Sequence, residues 1–157
     1  MPLAIGDLAP NFTLPTDGQK IVTLSELAGK KVIIYFYPKD ATSGCTKEAH
    51  AFRDCKVKFD QNNAIIIGIS KDSIKNHDKF KEKEGLNFTL ASDEKGEVCE
   101  KYGVWVEKSM YGRKYFGIER STFLIDEMGH IAKIWRKVSV PGHVEDILFE
   151  MKSEDND

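Results

Sequence analysis

Two runs of β-branched and aromatic residues constrain the fold of this chain more than any other feature. Lys31-Val32-Ile33-Ile34-Tyr35-Phe36-Tyr37 and Ala64-Ile65-Ile66-Ile67-Gly68-Ile69 are apolar at successive positions rather than alternate ones. A strand with one wet face alternates, so these two belong at the centre of a sheet covered on both sides. Pro38 ends the first run, because it offers no ladder donor. Between the runs, residues 46–62 contain neither Gly nor Pro, and Ala49, Phe52, Val57 and Phe59 permit one amphipathic helix.

The remaining segments extend the same alternation. Phe12-Thr13-Leu14, a turn at Pro15 and Gly18, and Ile21-Val22-Thr23-Leu24 read as a short hairpin, after which Ser25 caps a turn stopped by Gly29. Asp72 or Ser73 is placed to cap a charged helix reaching Glu84, with Gly85 ending it. A strand is expected at 88–90, a short helix at 97–102 before Gly103, and strands at 121–125 and 131–135 around a turn at Asp126-Glu127-Met128-Gly129. A last helix is expected over 144–152. This order predicts an α/β domain, with a mixed central β-sheet flanked by helices and an N-terminal β-hairpin extension. A thioredoxin-like fold satisfies it, although flavodoxin-like folds begin the same way. Residues 1–152 are expected to form a single domain, with 153–157 a polar acidic tail.

Composition narrows the function. With 157 residues, 41% of them apolar, the chain can bury a real core. A formal charge of −2 exerts no overall pull toward nucleic acid or an anionic membrane, and no apolar stretch has a membrane-spanning length. The first residues lack a basic, signal-like start, so a cytoplasmic location is expected. The chain has three cysteines at irregular spacing and no Cys-x-x-Cys, which suits a reducing compartment better than a disulfide scaffold. No zinc spacing and no phosphate-binding glycine loop is present, so neither metal nor cofactor is expected.

The segment that carries chemistry is Pro38-Lys39-Asp40-Ala41-Thr42-Ser43-Gly44-Cys45-Thr46-Lys47-Glu48. It joins the end of a buried strand to a helix, where α/β sheets place their sites. Gly44 is expected to permit a tight turn, bringing Cys45 to the helix N-terminus. Free amides and the positive dipole end there favour a negatively charged sulfur. Thr42 is expected to turn a neutral hydroxyl donor toward that sulfur or its ligand, in addition to capping the helix.

At these residues the chain resembles the peroxiredoxins, whose pattern Pro-x-x-x-Thr/Ser-x-x-Cys is met by Pro38, Thr42 and Cys45. The likeness extends into the bacterioferritin comigratory protein, or peroxiredoxin Q, branch. It runs through Gly6 to Pro15, Tyr35 to Lys39, Phe52-Arg53-Asp54, Asn87 to Leu90, Gly103-Val104-Trp105 and Arg120 to Asp126. The resemblance implies a peroxidase acting on hydrogen peroxide and small organic hydroperoxides. Cys45 would attack one peroxide oxygen and become a sulfenic acid, with Thr42 and backbone amides holding the substrate and Pro38 shielding the sulfur. Arg120 would complete the pocket, oriented by Glu48. Shifting a thiol's pKa from about 8.5 to about 6 raises the thiolate fraction only some tens-fold. Aligning the O–O bond and stabilising the departing oxygen must supply the rest.

Many members of this branch carry a second cysteine five residues after the first, where this chain has His50. Cys55 follows Cys45 by ten residues, about 15 Å of rise on a straight helix, beyond disulfide reach unless the helix melts. The expected cycle therefore uses one cysteine, with thioredoxin, glutaredoxin or glutathione reducing the sulfenic acid. A Cys45–Cys99 disulfide is the competing route. A thiol–disulfide oxidoreductase and a holdase-type stress protein are the rival functions, and a monomer or weak homodimer is expected.

Blander roles are assigned to the other conspicuous residues. His50 lies about 140° around the helix from Cys45 and reads as a packed or exposed histidine. Cys55 and Cys99 read as packing, and Trp105 and Trp135 as core or pocket wall. The Lys/Glu-rich run from Lys71 to Glu84 reads as a solvated helix face without an obvious ligand site.

Overall fold

The computed structural model describes residues 2–155, and the side chains of 153–155 lie outside the description. The hairpin expected near the N-terminus consists of β1 (Thr13–Thr16) and β2 (Lys20–Thr23), with the following turn beginning at Leu24 after an extended Thr23, not at a Ser25 cap. β3 (Lys31–Phe36) is buried at every position, as its unbroken apolar run requires. β4 (Ala64–Ser70), α3 (Ile74–Glu84), β5 (Thr89–Ser92), α4 (Glu97–Lys101), β8 (Ser121–Ile125), β9 (Ile131–Trp135) and α5 (His143–Asp155) follow the expected order within a few residues. α5 continues past Lys152 into the segment expected to be tail, whose last two residues are not described.

Seven strands form one sheet in the order β2-β1-β5-β4-β3-β8-β9. β3, β4 and β5 are parallel neighbours, whereas β1, β8 and β9 pair antiparallel, so the sheet is mixed. The pleat of β3 divides the interior in two. Val32, Ile34 and Phe36 join a core with Cys99 and Tyr102, while Ile33, Tyr35 and Tyr37 join one with Cys45, Phe52 and Val144, Ile147, Leu148 and Met151 of α5.

Two further features depart from the sequence reading. The helix expected over 46–62 begins earlier and is broken: α1 (Ser43–Asp54) and α2 (Lys56–Gln61) meet at Cys55, which has φ −99° and ψ 4°. Cys55 and Cys45 therefore do not share one straight helix. The second is an additional hairpin, β6 (Trp105–Met110) and β7 (Arg113–Ile118), joined by Tyr111 and Gly112, both at positive φ. That two-residue turn has the mirror-image geometry hairpins favour, and a Tyr at its first position hides the signal. α3 is capped as expected: the Ser73 hydroxyl accepts from the Asn76 amide, and Gly85 adopts the left-handed conformation.

Candidate active site

Cys45 stands at the third position of α1, which the loop after β3 leads into. Thr42 is the extended residue before the helix, and the first helical bond runs from the Thr46 amide to the Thr42 carbonyl. The amides of Ser43, Gly44 and Cys45 precede this ladder and point along the positive end of the helix. Cys45, Glu48, Ala49 and Phe52 are the buried residues of α1, spaced to lie on one face. The helix is also fastened to the end of α3. His50 Nε2 lies 2.8 Å from Glu84 Oε1, and Arg53 donates to the Glu84 carbonyl at 2.7 Å. His50 is thus a surface tether, as a packed or exposed histidine would be.

Arg120 reaches this helix from the segment between β7 and β8. Its Nη1 donates to Glu48 Oε1 at 2.6 Å and its Nη2 to Cys45 Sγ at 3.4 Å. Residues 72 and 75 positions apart in sequence are thereby brought to one guanidinium. The Val138 amide donates to the Arg120 carbonyl and fixes its backbone. Arg120 is not an ordinary surface arginine, since its side chain is only 17% exposed and pairs with Glu48.

Gly44 has a different role from the one expected. It lies within the helix, and its φ is not in the left-handed region, so no tight turn calls for a glycine. A Cβ at this position would instead sit 3.3 Å from Arg120 Nη2. The missing side chain leaves room for the guanidinium beside the sulfur.

Thr42 is exposed, and its hydroxyl donates to the Lys39 carbonyl at 2.8 Å, so it is not presented as a free donor. Its lone pairs remain available to accept a further hydrogen bond. Pro38 is exposed and stands two residues past the end of β3.

Burial works against charge on Glu48. It raises the carboxyl from 4.5 to about 7, although Arg120 pulls in the opposite direction. For Arg120 burial opposes charge, but Glu48 and Cys45 together hold its pKa above the ordinary value. Glu48 Oε2 and the Tyr35 hydroxyl are both buried without a hydrogen-bond partner among the described residues. Gly68 accommodates the Tyr35 ring, because a Cβ there would lie 2.8 Å from Tyr35 Cζ. Lys108 on β6 also faces this region. Burial and Arg120 push its ammonium pKa down, against Glu119 and Cys45. Lys108 escaped the sequence reading because the hairpin carrying it did.

Cys99 is fully buried in the core on the other face of the sheet from Cys45. Burial and the neighbouring Asp93 push its thiol far above the ordinary range. Cys55 is half-buried at the α1–α2 junction and packs on the Cys45 side. No group of three or more His, Cys, Asp or Glu side chains that could hold a metal ion occurs among the described residues.

Comparison with known proteins places this geometry in a family. Residues 5–134 match the model of the AhpC/TSA family. A Coxiella burnetii protein is 54% identical over 148 residues, covering 94% of this chain and 98% of its own. Peroxiredoxin Bcp of Bacillus subtilis is 47% identical, covering 97% of each chain. The solved structure of a Xylella fastidiosa PrxQ variant superposes with a TM-score of 0.94 over 99% of both chains at 40% identity. That of the Xanthomonas campestris bacterioferritin comigratory protein, studied for its alkyl peroxide reduction activity, gives 0.88 over 91% of both at 43% identity. The fold is accordingly the thioredoxin-like fold of these enzymes, and the chain belongs to the AhpC/TSA family as a peroxiredoxin of the bacterioferritin comigratory protein (peroxiredoxin Q) branch.

Proposed function

We propose that the protein reduces hydrogen peroxide and small organic hydroperoxides through Cys45, and that an external thiol closes the cycle. The observation that carries this reading is the single guanidinium joining Cys45 Sγ to buried Glu48. In the first step the ionised sulfur attacks one peroxide oxygen. An S–O bond forms as the O–O bond breaks, giving the Cys45 sulfenic acid and an oxyanion that takes a proton to leave as water or alcohol. Arg120 and the amides at the start of α1 supply positive charge where the departing oxygen becomes negative. Thr42 accepts the peroxide hydrogen and fixes the angle of approach. Glu48 holds Arg120 in place, and Pro38 shields the sulfur.

The one-cysteine cycle draws support from the positions of the other thiols. Cys99 lies across the sheet from Cys45 and is 0% exposed, so a Cys45–Cys99 disulfide within one chain demands more than a local adjustment. Thioredoxin, glutaredoxin or glutathione would then reduce the sulfenic acid. Steady-state turnover of a Cys55→Ser/Cys99→Ser variant tests this. Turnover with external thiol within about twofold of wild type is expected, a ratio equivalent to about 0.4 kcal/mol in barrier. A single burst of peroxide loss followed by arrest would instead assign resolution to one of the replaced cysteines.

A further inference from the structure

The loop that leads into the active site has a second face. Thr42 turns back to the Lys39 carbonyl, so the loop is short and folded, with Cys45 just beyond one end and Lys39 at the other. Beside Lys39 the loop and α3 enclose a cleft of about 230 Å³. Lys39, Lys79 and Lys83 rim it, with Ala41, Asn76 and Phe80 among its walls. Asn76, Lys79, Phe80 and Lys83 recur at helical spacing, so one face of α3 supplies this wall.

The three lysines are exposed, and none has an ion-pair partner within 4 Å among the described residues. Lys79 and Lys83 are four residues apart, where like charges repel. Acidic groups also line the cleft, but both are engaged within the protein. Asp40 binds His77 Nδ1 at 2.6 Å and the Tyr37 hydroxyl at 2.5 Å, while Asp72 binds the Asp40 amide and the Ser70 hydroxyl. The cleft therefore offers three ammonium groups at its rim, in excess over the two carboxylates held by internal hydrogen bonds, and apolar surface within. A carboxylate-bearing molecule complements the lysine rim, and its uncharged part can lie against the apolar walls.

We infer that this cleft binds the carboxylates of a small anionic thiol and delivers its sulfur to the Cys45 sulfenic acid. The inference rests on the external-thiol reading of the cycle. The thiol condenses with the sulfenic acid, forming an S–S bond and releasing water. A second molecule of the same thiol then attacks that mixed disulfide, leaving as the small-molecule disulfide and restoring the Cys45 thiol. The lysines take no part in the peroxide step, so recognition of reductant and of peroxide are separable.

The test uses the full chain and a Lys79→Gln/Lys83→Gln variant, each oxidised with one equivalent of peroxide. Decay of the sulfenic acid is followed with glutathione, which carries two carboxylates, and with uncharged 2-mercaptoethanol. Loss of two surface ion pairs is expected to slow reduction by glutathione roughly fivefold. Reduction by 2-mercaptoethanol and the rate of peroxide attack should be unchanged in the same variant. Equal rates with glutathione in both proteins would overturn the assignment. S-methylglutathione, which has no free thiol, isolates binding from chemistry. Saturable amide shifts at Asn76, Lys79 and Lys83 in the wild type, weakened in the variant, support the site, and their absence overturns it. If those shifts appear but the sulfenic acid closes onto Cys55 or Cys99 with glutathione present, the cleft stands as a carboxylate site and its reductant role is overturned.

Discussion

Glu48→Gln removes the charge from a carboxyl that is 1% exposed and keeps the oxygen that accepts from Arg120. In the folded protein burial raises Glu48 from 4.5 to about 7, Arg120 offsetting only part of the effect. Between those values the native state retains a proton that the unfolded chain has already released. Stability must then fall as pH rises through this window, with the full loss reached above about pH 7. At about 1.36 kcal/mol per pH unit, the span from 4.5 to about 7 corresponds to about 3 kcal/mol. Glutamine does not titrate, so the variant lacks this slope, and differences in packing cancel when each protein is compared with itself. Urea unfolding of both proteins from about pH 5 to about pH 8 reads the effect. Over that interval wild type should lose about 2–3 kcal/mol relative to the variant. Parallel stability curves would refute the reasoning, because they would mean that Glu48 is charged at no net cost.

Three further substitutions probe the site and its support. Thr42→Val should slow peroxide attack about 10²–10³-fold in a rapid-mixing assay while leaving the unfolding transition in place, since Thr42 is exposed. Gly44→Ala should raise helix stability by up to about 0.8 kcal/mol and slow attack at the same time. Its new Cβ would stand 3.3 Å from Arg120 Nη2 and displace the guanidinium, and unfolding and stopped-flow measurements on one sample show whether the two effects diverge. Gly68→Ala should destabilise the protein by about 1–3 kcal/mol in chemical denaturation, because its Cβ would meet the Tyr35 ring at 2.8 Å within a close-packed core.

The features legible in the sequence are those written locally. The unbroken apolar runs of β3 and β4 placed both strands at the centre of the sheet, and Ser73 and Gly85 marked the ends of α3. Cys45, Thr42 and Pro38 stand out in the sequence because strand end, loop and helix start are contiguous, and the family resemblance supplies the roles expected of them. Arg120 and Glu48 were reachable only through family resemblance, since no spacing along the chain reveals a bond across 72 residues. The break at Cys55 has no Gly or Pro to announce it, so propensity alone favours one continuous helix. The role of Gly44 is a clearance to a distant side chain, which no local conformational rule contains. The lysines of α3 looked like an ordinary solvated face until the fold set them against the active-site loop.

The central claim is that Cys45 alone takes the peroxide oxygen. Intact mass and peptide mapping after substoichiometric peroxide test it most directly, with a sulfenate-trapping reagent present. The expected result is one trapped sulfenic acid located at Cys45 and no trapped product from a Cys45→Ser variant. A first oxygen found on Cys55 or Cys99, or undiminished peroxide loss in the Cys45→Ser protein, would contradict the account.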